Sequence, residues 1–119
     1  QGLHTWNRLT PPAPGFTEQV YYLDVEPGDD GWVEVALVNP ELGNAVAFVV
    51  RYQSSNLPRF VLWKMLAPGE YVVGFEPANC LVEGRASERA RGTLQQLQPG
   101  ETKTFRLSLS VSEGLYRRA

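Results

Sequence analysis

Three of the four Pro-Gly dipeptides in this sequence are each followed by an acidic residue, and they restrict the chain to a fold in which short extended segments alternate with tight turns. These three dipeptides are Pro27-Gly28, Pro68-Gly69 and Pro99-Gly100. Proline presets φ at the second position of a β-turn, and glycine tolerates a positive φ at the third. Each dipeptide is followed by an acidic residue and then by a segment rich in β-forming residues. The spacing of these turns predicts an all-β, antiparallel structure.

The segments between the turns have the length and composition of strands. Residues 102–111 alternate apolar and polar side chains, which predicts a half-buried antiparallel strand. Residues 45–50 are apolar throughout and predict a central strand covered on both faces. No long helical period is present, and residues 87–91 allow one helical turn at most. The predicted fold is therefore an antiparallel β-sandwich. Its strands are expected near residues 19–25, 32–38, 45–52, 59–65, 71–75, 92–97 and 102–111.

A length of 119 residues suits one domain. Residues 1–16 are rich in proline and predict a loop or linker, and residues 17–112 make up the predicted sandwich. Residues 113–119 are expected to form a frayed tail. The sequence does not begin with methionine. This favours a processed product or a piece of a longer protein.

Composition excludes several classes of function. A net charge of -2 without a basic cluster gives no footprint for nucleic acid. A membrane span needs about 20 apolar residues, far more than any run in this chain. The sequence has one cysteine, Cys80, and one histidine, His4, so neither an internal disulfide nor a Cys/His zinc site is possible within the chain. We predict no metal and no cofactor, and we expect a reducing, cytoplasmic location.

Glu76 is the carboxylate with the most unusual sequence context. It follows the apolar residues 71–75 and precedes Pro77, so we expect it where a strand ends. Partial desolvation by Phe75 would raise its pKa toward the range of a general base. The alternative interpretation is an exposed residue at the strand end, or a structural partner of an arginine.

Four further residues are candidate sugar contacts. Trp63 offers an aromatic face for a pyranose ring, although a tryptophan in a strand is also a common core residue. Lys64 points to the other side of the same strand, where a solvated position is the simpler interpretation. Arg85 follows Gly84 and could bind hydroxyls, or else pair with Glu83, Glu88 or Glu76. Asn79 is either part of the site or a turn residue that caps local backbone.

The same region resembles a known family. The residues that carry the resemblance are Trp63, Pro68-Gly69-Glu70-Tyr71, Gly74-Phe75-Glu76-Pro77-Ala78-Asn79, Gly84-Arg85, Glu88-Arg89, Gly92 and Leu97-Gln98-Pro99-Gly100-Glu101. Together they resemble the C-terminal part of an aldose 1-epimerase-like branch of the galactose mutarotase-like superfamily, over roughly the last half of the chain.

The resemblance implies a sugar cleft on one face of a larger sandwich, in which Glu76 is the catalytic base. In such isomerases the base removes the proton of the anomeric hydroxyl, and a histidine protonates the ring oxygen. Trp63, Lys64, Asn79 and Arg85 are then expected to bind the substrate.

The chain differs from that family in its length and in the residue that would serve as the general acid. The family is about twice as long, and its catalytic histidines lie upstream of the region matched here. We therefore expect a sugar-binding domain that carries the base and is inactive until a His-bearing region completes it. The expected partners are a sugar and either a second copy or a missing upstream half. The alternative is a non-catalytic module for carbohydrate binding or interdomain contact.

Overall fold

A computed structural model of the chain describes residues 3–114, which contain six strands and one helix. The first sheet has the strand order β1-β4-β5 and the second sheet has the order β2-β3-β6, and all pairings are antiparallel. The predicted all-β sandwich is confirmed. The elements are β1 (Gln19–Leu23), β2 (Trp32–Asn39), β3 (Val46–Gln53), β4 (Arg59–Ala67), β5 (Glu70–Ala78), α1 (Arg85–Arg91) and β6 (Leu107–Glu113).

The hydrophobic core lies between the two sheets. Alternate residues of each strand point inward, as the period of two requires. Tyr52 of the second sheet stacks on Phe60 of the first with ring centroids 6.0 Å apart, and Phe75 meets Phe60 edge to face. The Tyr52–Phe60 pair joins the two sheets, whereas Phe60 and Phe75 belong to neighbouring strands of the first sheet. The buried core cluster consists of Tyr21, Val33, Val50, Tyr52, Leu57, Phe60 and Leu62.

The Pro-Gly turns behave as predicted in two of three cases. Pro68-Gly69 is the two-residue loop of the β4–β5 hairpin, with Gly69 at a φ of 83°. Gly100 has a φ of 78°, and the Glu101 N–H closes the turn on the Gln98 carbonyl at 3.0 Å. The turn after Pro27 differs, because Gly31 and not Gly28 adopts the positive φ, and its N–H bonds the Gly28 carbonyl.

The strand predicted at residues 92–97 is wrong. Gly92 is a turn and residues 93–97 have no regular structure. The helix α1 (Arg85–Arg91) lies directly before them and is longer than the single turn expected there. It ends at Gly92 in the left-handed conformation, whose N–H donates to the Arg89 carbonyl at 3.1 Å. The next N–H, that of Thr93, donates to the Glu88 carbonyl. The backbone groups that a strand would have paired across a sheet are thus used to close the helix.

Strand β3 is central in the second sheet, as predicted, and buries residues on both faces, such as Ala47 and Val50. The prediction for β6 is wrong in two respects. The strand begins at Leu107, not at residue 102. It is also not half-buried, because Leu109 and Val111 are 64% and 68% exposed. It forms an edge of the sheet beside an open apolar cleft of about 320 Å³ between the sheets.

The N-terminal segment, residues 3–16, contains no strand, and it packs against the first sheet. The Ala13 N–H donates to the Leu66 carbonyl at 2.9 Å, and the Tyr71 hydroxyl donates to the Thr10 carbonyl at 2.6 Å. Of the predicted C-terminal tail, Glu113 belongs to β6, and residues 115–119 lie outside the described residues. Within residues 3–114, no helix has the length and hydropathy needed to cross a bilayer.

Candidate functional site

The face of the first sheet that points away from the core carries the candidate site, and we call it the outer face. Trp63 of β4 pairs with Gly74 of β5, and Val61 pairs with Glu76. The intervening residues, such as Leu62, point into the core. Since alternate residues of a strand share a face, Trp63, Gly74 and Glu76 lie together on the outer face.

Glu76 does not lie where a strand ends, and that expectation is corrected. Strand β5 continues through Pro77 to Ala78, which pairs with Arg59. Proline is tolerated there because β5 is an edge strand of the sheet, where a missing N–H need not remove a ladder hydrogen bond. Glu76 is instead a half-buried residue within a paired strand, fixed by the β4–β5 register.

The carboxylate of Glu76 lies directly over Gly74. A Cβ atom on Gly74 would be 2.6 Å from Glu76 Oε1 and 3.4 Å from the Cβ of Trp63. A side chain at position 74 would therefore collide with the carboxylate in its present place. In the part of the chain that the structure describes, neither a hydrogen bond nor an ion pair occupies the Glu76 carboxylate. Its oxygens are thus available to a hydroxyl donor beside an aromatic side chain.

Trp63 is a residue of the outer face and is absent from the buried core cluster. Its indole Nε1–H donates to Glu18 Oε2 at 3.0 Å. The ring is half-buried, in an open trough on the outer face. The trough is lined by Glu18, Trp63, Met65, Gly69, Glu70, Tyr71 and Val72. This position leaves the aromatic side chain within reach of a ligand.

Lys64 lies on the opposite face from Trp63. A solvated position was expected for it, but the side chain is buried. Its side chain is only 2% exposed. The ammonium nitrogen donates to the carbonyl oxygens of Thr5 at 3.0 Å and Arg8 at 2.8 Å, and lies 5.3 Å from the ring centroid of Tyr21. Burial lowers the pKa of Lys64. The structure thus separates Lys64 from the outer face and ties it to the N-terminal segment.

Asn79 and Arg85 follow β5 in the chain. Asn79 is half-buried in a bend, and Arg85 is exposed at the first residue of α1. No ion pair joins Arg85 to Glu76 within residues 3–114, and the carboxylates of Glu83 and Glu88 pair with Arg91. The structure brings Trp63 and Glu76 together, and within residues 3–114 neither Asn79 nor Arg85 makes a hydrogen bond or an ion pair with them.

Glu88 is a buried carboxylate that sequence reasoning did not single out. It is 3% exposed and accepts hydrogen bonds from the Thr93 hydroxyl, the Arg91 guanidinium and the Leu81 N–H. These bonds, the one from Thr93 first, lower the pKa of Glu88 to about 2. The Glu-x-x-Arg spacing of residues 88 and 91 is the sequence feature that could have predicted their ion pair. Glu88 holds the loop after β5 closed, a structural role.

The outer face supplies a candidate base, Glu76, and an aromatic surface, and no histidine of residues 3–114 lies on it. His4 is exposed, and the neighbouring Thr5 is held by Lys64 on the opposite face. Cys80 is exposed, with a free thiol. The described residues contain no group of three or more His, Cys, Asp or Glu that could hold a metal ion. The chemistry available here is acceptance of a proton, or of a hydrogen bond, by Glu76.

The fold and this face define a β-sandwich protein that places a tryptophan beside a carboxylate on one sheet. Residues 1–111 match the model of DUF4432, a domain of unknown function, and the chain belongs to that family. No curated protein and no solved structure shows significant similarity to the chain.

Proposed function

We propose that this domain binds a sugar on the outer face and is an aldose-epimerase-like unit whose base is Glu76. The observation that carries the proposal is the Glu76 carboxylate, which lies over Gly74 beside Trp63 without a partner among residues 3–114. The resemblance of residues 63–101 to the C-terminal part of aldose 1-epimerase-like proteins supports the same assignment.

Each side chain has a chemical role in this proposal. The Trp63 ring packs against the apolar C–H face of a pyranose. Glu76 accepts the proton of the anomeric hydroxyl. As that O–H bond breaks, the bond between C1 and the ring oxygen opens, and the ring oxygen takes a proton from an acid. Rotation about C1–C2 and closure on the other face then give the opposite anomer.

The histidine in this scheme comes from outside the described outer face, because His4 belongs to the segment docked on the opposite side. General acid–base catalysis contributes about 10²–10⁴-fold, so a unit with a base alone loses most of it. We propose that the isolated chain binds sugar and is inactive, and that a His-bearing region completes it. A reducing, cytoplasmic compartment suits its single, exposed cysteine.

The test compares the wild-type chain with Glu76→Gln and Trp63→Ala by a sugar-array binding screen, polarimetry and thermal melts. Glutamine keeps the shape and one acceptor oxygen of Glu76 but takes no proton at neutral pH. We expect Glu76→Gln to keep the fold and much of the sugar affinity and to abolish any mutarotation. We expect Trp63→Ala to abolish sugar binding. Mutarotation above the buffer rate that persists in Glu76→Gln would refute the base assignment. Absence of sugar binding by the wild-type chain would refute the proposed function.

The second candidate is a non-catalytic module whose role is contact with another domain or a second copy. The exposed apolar side chains Leu107, Leu109 and Val111 on the edge strand β6 favour it, because large exposed patches usually mark interfaces. Concentration-dependent association that Leu109→Lys suppresses, with no sugar bound by the wild type, would select this function. Leu42→Lys is the control, since Leu42 is 56% exposed outside the strands.

A further inference from the structure

We infer that Glu18 is the positioning residue of the sugar site, which fixes the orientation of the Trp63 ring. This inference rests on the proposed function for the consequence on affinity, whereas the orientation of the ring can be tested by itself. Glu18 lies immediately before β1, and β1 pairs with β4 so that Val20 opposes Trp63. Glu18 is therefore the diagonal neighbour of Trp63 on the outer face.

The hydrogen bond from Trp63 Nε1 to Glu18 Oε2 spans 3.0 Å and joins residues 45 positions apart. It ties the indole nitrogen to the end of β1, while the Trp63 Cβ lies beside Gly74, which has no side chain to displace the ring. An indole tethered through its nitrogen has fewer orientations open to it than an untethered one. A stacking surface that is already ordered loses less rotamer entropy when a ligand binds.

Glu70 provides a matched control, because this residue also lines the trough. Within residues 3–114 it makes neither a hydrogen bond nor an ion pair. Removal of Glu70 changes the charge at the trough by the same amount as removal of Glu18, and leaves the indole hydrogen bond in place. A difference between the two variants therefore reports the bond and not the charge.

The experiment follows the indole Nε1–H resonances of the full chain by NMR. The sequence has three tryptophans, and Trp63→Phe identifies the resonance of Trp63. We expect Glu18→Ala to move this resonance and to speed its exchange with solvent. Glu18→Gln, which keeps an acceptor oxygen, should largely restore both. Glu70→Ala should change neither, and the resonances of Trp6 and Trp32 should stay in place as evidence that the fold is intact.

Sugar titrations of the same proteins test the consequence for binding. Loss of one ordering hydrogen bond should raise the Kd for sugar by about 3–10-fold in Glu18→Ala. The Kd of Glu18→Gln should return close to that of the wild type. An unmoved Trp63 resonance in Glu18→Ala, or an equal shift in Glu70→Ala, overturns the inference. Unchanged affinity despite a moved resonance overturns the link to binding. If the wild type binds no sugar, the proposed function fails, and the resonance still decides whether Glu18 orients the ring.

Discussion

The ammonium nitrogen of Lys64 lies 2.8 Å from the carbonyl oxygen of Arg8, so a buried charge of β4 holds a segment that precedes it by more than fifty residues. The Thr5 carbonyl accepts a second hydrogen bond from the same nitrogen. A buried ammonium is costly unless hydrogen bonds compensate it, and here backbone carbonyls do so. The N-terminal segment is therefore part of the folded domain.

Substitution Lys64→Met should release this segment. Methionine fills a similar volume but donates no hydrogen bond, so the two carbonyls gain water only if the segment leaves the sheet. We expect a loss of stability of about 1–3 kcal/mol and faster tryptic cleavage after Arg8, because proteolysis follows the population of the open form. Lys103→Met is the control, since the exposed hydrogen bond of the Lys103 ammonium goes to the Gln95 side chain and not to the N-terminal segment. Equal cleavage rates in the wild type and Lys64→Met would contradict the role given to Lys64.

Substitution Gly74→Ala should displace the Glu76 carboxylate without unfolding the domain. The new Cβ would lie 2.6 Å from Glu76 Oε1, which is the far end of a flexible side chain and can rotate away. We expect a stability change within about 1 kcal/mol and a loss of whatever sugar affinity depends on Glu76. A double-mutant cycle checks the cause. In a Glu76→Ala background, Gly74→Ala should have no further effect on affinity, and an undiminished effect there would show that the glycine acts otherwise.

The hairpin that builds the outer face could be predicted largely from sequence. Pro68-Gly69 is a two-residue turn, which fixes the pairing of Ala67 with Glu70 and, counted back along both strands, of Trp63 with Gly74. Local turn chemistry therefore specified that Trp63 and Glu76 share a face. The burial of Lys64 could also be predicted, because it lies on the same face of β4 as the apolar residues Phe60, Leu62 and Leu66.

Contacts between distant segments could not be predicted in this way. The partners of Lys64 are backbone carbonyls in a proline-rich segment, and backbone groups leave no trace in the residue pattern. Glu18 reaches Trp63 only through the β1–β4 register, across 45 residues. Residues 92–97 have strand composition, but Gly92 ends a helix whose position depends on the buried Glu88. In each case tertiary packing decided what local preference left open.

Glu88 and the three groups that donate hydrogen bonds to it form a buried clasp. This clasp should make the stability of the loop after β5 sensitive to acid. The pKa of Glu88 is lowered from the ordinary value of 4.5 to about 2 by hydrogen bonds from Thr93, Arg91 and Leu81. A lowered carboxyl pKa means that the unfolded chain binds the proton first. The contribution of Glu88 to stability is therefore complete above about pH 4.5 and is lost as the pH falls to about 2. We expect Glu88→Gln to be less stable than the wild type at neutral pH, and the gap to narrow over that window.

Urea unfolding of both proteins at several pH values between about 7 and 2 measures this gap, and other carboxylates cancel in the difference. Glu83→Gln is the matched control, because Glu83 pairs with the same arginine, Arg91, but is exposed. An exposed ion pair contributes under about 1 kcal/mol, so the control should remain close to the wild type throughout. A gap for Glu88→Gln that stays constant with pH would show that the carboxylate acts through its shape and not its charge. A gap as large for Glu83→Gln would place the effect on Arg91, not on the buried clasp.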